Sequence, residues 1–93
     1  MAVIINPPVV TGNNIVIDIT STKQEQVGVV TVTIGGKIAI HDVQVTLPYH
    51  RLLQIIPGTL VHNVCVSFDD NSGKELDSIS QMLSFDRLTP LID

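Results

Sequence analysis

Hydrophobic and polar positions alternate along most of this chain. In Asn14 to Ser21 (NIVIDITS), Ile15, Ile17 and Ile19 share one parity and Val16, Asp18 and Thr20 the other. Successive side chains of a β-strand point to opposite faces, so this stretch reads as a strand with one face buried. Residues 60–68 (LVHNVCVSF) repeat the pattern, with Val64, Val66 and Phe68 against Cys65 and Ser67. Between them runs VGVVTVTIGGKIAIHDVQVTL, residues 27–47, in which Gly35 and Gly36 separate two runs rich in Val, Ile and Thr. That is a hairpin pattern. A loop of Gly35, Gly36 and Lys37 sets Ile34 opposite Ile38, Val32 opposite Ile40 and Val30 opposite Asp42. The shorter Gly35-Gly36 loop would pair aliphatic with polar residues, so the longer loop is the expected one.

The apolar face of this hairpin changes sides. Near the turn it carries Val30, Val32, Ile34, Ile38 and Ile40; farther away Val27, Val29, Val43, Val45 and Leu47 lie on the opposite parity. One bulge in one strand would not shift both strands. The pattern therefore predicts a hairpin that buries one face at its base and the other at its tip. Either it bends across the corner of a sandwich or barrel, or its tip packs on a neighbouring subunit. Val32, Ile34, Ile38 and Ile40 are the interface candidates.

Residues 1–14 carry Pro7 and Pro8, which cannot donate to a ladder, followed by the turn residues TGNN; they read as an extended N-terminal arm. Pro48 ends the hairpin's second strand. YHRLLQII fits one or two helical turns or a short strand, and residues 76–85 fit either a helix capped by Asp77 or a strand returning from the turn DDNSGKE. The fold class predicted is all-β: a small antiparallel sandwich or barrel of about six or seven strands, with at most one short helix, formed by residues 1–93 as one domain.

Composition sharpens this. With 93 residues and 44% hydrophobic content, dominated by Val and Ile, a small domain must expose some aliphatic surface or cover it with a partner, which predicts a homo-oligomer. The net charge is −4, and Lys23, Lys37, Arg51, Lys74 and Arg87 stand singly. Without a basic stripe, and with only three aromatics to stack on bases, nucleic acid is excluded as a partner. Anionic membrane surfaces should repel the chain, and no apolar run is long enough to span a bilayer. A single cysteine, Cys65, permits no internal disulfide, and MAVIINPPVV lacks the charged start of a secretory signal. Together these predict a cytoplasmic protein or one held within an assembled viral particle.

Candidate chemistry is sparse. His41 and Asp42 are adjacent on a strand and His62 and Cys65 are three apart, so neither pair shares a face and no metal is expected. DDNSGKELD resembles a calcium loop, with Asp69, Asn71 and Asp77 as oxygen donors, but Gly73 stands at the fifth position, where a ligand belongs. Cys65 lies within an apolar strand and is expected to be buried and inert. No nucleophile motif occurs, so neither an enzyme nor a cofactor is predicted. The segment Pro48 to Arg51 brings together side chains common in binding hot spots, which makes Tyr49, His50 and Arg51 candidate partner contacts; the plainer expectation is that Tyr49 closes the end of the core while His50 and Arg51 are solvated. The function expected is a non-enzymatic, self-assembling structural or adaptor protein, of the kind found as a minor virus or phage particle component. The alternative is a small acidic inhibitor or binding module acting on a partner protein.

Overall fold

A computed structural model describes residues 2–22 and 26–89. The described chain forms nine strands: β1 (Val3–Ile5), β2 (Val9–Thr11), β3 (Asn14–Ser21), β4 (Val27–Ile34), β5 (Lys37–Thr46), β6 (Tyr49–Ile56), β7 (Val61–Asp70), β8 (Glu75–Ser84) and β9 (Arg87–Leu88). They make two antiparallel sheets. The first has the order β1-β3-β6-β9, with β2 beside β1 on the same edge of β3; the second has the order β5-β4-β7-β8. Facing sheets of this kind are a β-sandwich, as the sequence pattern predicts. Both ambiguous segments are strands, β6 over 49–56 and β8 up to Ser84.

The core lies between the sheets, filled by the parities read from the sequence. Ile15, Ile17 and Ile19 come from β3, Val30 and Val32 from β4, and Val64, Val66 and Phe68 from β7; Phe85 and Ile55 close one end. Residues 3–11 do not project as an arm. β1 and β2 are laid along β3, with Val3, Ile5 and Pro8 buried; Pro7 and Pro8 divide one edge strand into two.

The central hairpin departs from expectation in register and in phase. Gly35 and Gly36 both have positive φ (59° and 84°), as a two-residue turn between twisted strands requires, so Ile34 pairs with Lys37 and Thr33 with Ile38. The aliphatic pairing is regained by an irregularity in β5: Val32 pairs with Ile40, leaving Ala39 as the extra residue. From Val32–Ile40 to Val30–Asp42 the register is the expected one. A second irregularity sets Val43 and Gln44 opposite Val29, and Gln44 takes φ 56°. Val45 and Leu47 thereby turn inward, with Val45 partly buried and Leu47 in the core.

The phase change is thus confined to β5. Strand β4 never flips: Gly28, Val30 and Val32 face inward, and Val27 and Val29 stay half-buried on the outer face. Glycine hides this because it is not counted as apolar. Its inward slot is already filled: a Cβ at residue 28 would stand 2.7 Å from the Phe68 ring and run into the Asp69 carbonyl. Phe68 supplies the apolar volume that β4 omits.

Candidate interaction site

The polar side chains of the PYHR segment gather on one open side of the sandwich. After Thr46 the chain crosses from the second sheet to the first, so β5 and, over its stretch ahead of β9, β6 lie open on the same side. Tyr49 and Arg51 are paired with Ile19 and Ile17 of β3, which puts them on the inward face of β6. Asp42, paired with the fully buried Val30, is on the inward face of β5. The three meet across the gap. The Tyr49 hydroxyl donates to Asp42 Oδ2 at 2.6 Å, and Arg51 Nη1 donates to the same oxygen at 2.9 Å.

Electrostatics follow from that geometry. The Tyr49 hydrogen bond and then the Arg51 charge, opposed by slight burial, hold the Asp42 carboxyl below the usual carboxylate range. Burial, reinforced by the hydrogen bond to Asp42, pushes the Tyr49 hydroxyl up. Both partners favour an ionised Asp42 and an uncharged Tyr49, so the cluster is a brace between sheets rather than a poised acid or base. His50 has the other parity; it faces outward, 3.8 Å from Asp18 Oδ1 of the adjacent strand. The candidate contact residues therefore separate: Tyr49 and Arg51 inward, His50 on the outer face. Beside the brace is an open groove of about 480 Å³, lined chiefly by Ile38, Ala39, Leu53 and Leu88, with Arg51 and Gln54 as polar edges. Its character is mixed, with aliphatic side chains beside Arg51, Gln54 and Thr89.

The opposite side is bridged more lightly. Asp77 of β8, paired with Phe68 and hence inward, accepts the backbone N–H of Ile5 at 3.4 Å.

The interface candidates do not form one patch. Val32 and Ile40 are covered by the chain's own first sheet, Ile34 packs partly against the core, and Ile38 is turned out by the bulge at Ala39, 67% exposed. The calcium-like loop is a hairpin turn: Asp70 Oδ1 accepts from the Ser72 N–H, the Ser72 hydroxyl and the Lys74 N–H, which holds its carboxyl below the usual range. Cys65 is not buried among the aliphatics; it is half-exposed on the outer face, its Sγ 3.4 Å from Ser80 Oγ, because its parity is opposite to that of Val64 and Val66. His41 contacts Thr31 Oγ1 through Nδ1 at 3.2 Å, while His62 stacks on Phe85 and donates from Nε2 to that residue's carbonyl. Among the described residues no three His, Cys, Asp or Glu side chains are placed to hold a metal.

Asp42 is the member of the brace that sequence reasoning passed over. Its signal was present: a lone carboxylate at an inward position opposite Val30, with Tyr49 and Arg51 two residues apart on the next strand.

No protein-family model matches the chain, and no curated protein matches it. A solved structure does. It is described as "Structures of Clostridium thermocellum CbhA fibronectin(III)-like modules", and superposes with a TM-score of 0.61 over 89% of this chain and 94% of that one, at 19% sequence identity. The chain therefore has a fibronectin III-like β-sandwich fold. Among its described residues no helix is long and apolar enough to cross a membrane.

Proposed function

We propose that this chain is a non-catalytic binding or adaptor module that works by contact with a protein partner. The observation that carries the reading is the use made of its most versatile side chains. Tyr49, Arg51 and Asp42 satisfy one another across the two sheets, and what the module offers outward is sheet surface. On the outer face of the first sheet, Val9, Val16 and Leu52 are paired in one row across β2, β3 and β6, with Val9 and Leu52 about half exposed. An aliphatic row crossing three strands is a natural contact surface. The likeness to a fibronectin(III)-like module supports the reading through the fold alone.

A second reading, self-assembly, draws on the same row, since a second copy could cover it. The fold and the structural likeness give no support to an origin in a virus or phage particle. Light scattering at micromolar concentration separates the readings: the adaptor reading expects a monomer, and a fixed oligomer would move the account to self-assembly. A partner captured from the native source should be lost on Val9→Asp with Leu52→Asp, while the circular dichroism of the module is unchanged. Retained capture would take the contact off this face.

A further inference from the structure

Charged residues at inward registers gather where a strand has an unpaired side or ends. In their middle stretches the strands paired on both sides carry none there: β3 presents Ile15, Ile17 and Ile19, β4 presents Gly28, Val30 and Val32, and β7 presents Val64, Val66 and Phe68 ahead of Asp70, which stands opposite Gly28 at the strand's end. Three strands with an unpaired side carry one within the strand: Asp42 on β5, which also has Lys37 opposite Ile34 at its turn end, Arg51 on β6 over its stretch ahead of β9, and Asp77 on β8; the short strands β1, β2 and β9 carry none. An unpaired edge exposes backbone donors and acceptors that can pair with another molecule. An inward charge blocks this, because a second sheet continuing the edge would have to bury that charge in a merged core. Here the open end of the sandwich gives each charge partners from the facing sheet: Asp42 meets Tyr49 and Arg51, and Asp77, which also accepts the Ser78 N–H, meets the backbone of Ile5. The two irregularities of β5 add to the effect, since they leave only Ile40 to Asp42 as an uninterrupted ladder between them.

We propose that Asp42, Arg51 and Asp77 are edge guards, which keep β5, β6 and β8 from pairing with the strands of a second copy of this chain. This goes beyond the adaptor reading and does not require it: the guards govern strand edges, whereas that reading concerns a sheet face.

The test is a double substitution, Asp42→Val with Arg51→Leu, which removes both charges of the open side together and leaves neither unpaired. Sedimentation velocity should show the parent's mass unchanged across micromolar to millimolar concentration, while the variant's weight-average mass at least doubles. Hydrogen exchange in the associated variant should slow selectively at β5 and β6 amides. If the double variant fails to fold, the nearly isosteric Asp42→Asn is the substitute and should show the same rise in mass at higher concentration. A folded variant with the parent's mass throughout would overturn the proposal. So would association that protects amides elsewhere and leaves β5 and β6 unchanged, or a parent already joined through β5.

Discussion

Gly28→Ala should destabilise this protein more than any other single-methyl addition on β4. The residue faces inward, and an ideal Cβ placed there meets three atoms: the Asp69 carbonyl oxygen, and Phe68 Cζ and Cε2 at 2.7 and 2.9 Å. Every one of these is closer than carbon atoms tolerate. The ring could shift, although Phe68 is fully buried and has little room. The carbonyl cannot shift alone, since β7 is paired to β4 on one side and β8 on the other. Adding a methylene to a packed core costs about 1–3 kcal/mol, and a backbone clash puts this site at about 3 or above. For a domain of this size a kilocalorie lowers the melting temperature by roughly 4–8 °C, so a fall of roughly 12–24 °C is expected. Thermal melts followed by circular dichroism, with urea titrations to confirm an unchanged m value, measure it. Phe68→Leu in the Gly28→Ala background should recover part of the loss and leave the carbonyl clash. A loss under about 1 kcal/mol for Gly28→Ala would place residue 28 on the outer face and refute the unflipped β4.

Other consequences follow from the register and the brace. Ile38→Asp should be tolerated, because Ile38 is exposed, whereas Ile40→Asp two residues on should unfold the protein by forcing a charge into the core; equal effects in a thermal melt would contradict the bulge at Ala39. Because the folded-state pKa of Asp42 is depressed, its stabilisation is full above the unfolded carboxylate range and is lost as pH falls through the folded value. The stability gap between parent and Asp42→Asn should therefore narrow in acid and hold steady near neutrality; a gap that widens in acid contradicts the sign. Cys65, half-exposed, should react with a thiol reagent in the native state within a few-fold of its rate in denaturant, and strong native protection would put it on the inner face.

What the sequence made legible was parity. Ile15, Ile17 and Ile19 and Val64, Val66 and Phe68 advertise their faces because a strand with one buried side repeats every two residues, and all six are in the core. The same rule already implied that Cys65 faces outward, so counting it as a buried hydrophobe set composition above period. The hairpin was misread at three points where period two breaks or goes silent. Glycine at 28 is silent, since its slot is filled by a ring distant in sequence. The extra residues at Ala39 and at Val43–Gln44 leave no compositional mark, because a bulge depends on which pairing buries more apolar surface. The brace was hidden for a related reason: Asp42, Tyr49 and Arg51 meet only once the chain has crossed between sheets, and no spacing rule along one strand predicts contacts across that gap.

The claim on which the functional account turns is that Asp42, Tyr49 and Arg51 hold the sandwich closed. A double-mutant cycle on Asp42→Asn and Tyr49→Phe, read by urea denaturation, tests it most directly. A hydrogen bond to a charged group contributes about 1.5–3 kcal/mol, and partial solvent exposure here reduces the expected coupling to about 1 kcal/mol. Coupling of that size, with both single variants less stable than the parent, is the result the brace predicts. Coupling indistinguishable from zero, with stability unchanged in both single variants, would contradict it and leave these side chains free for a different role.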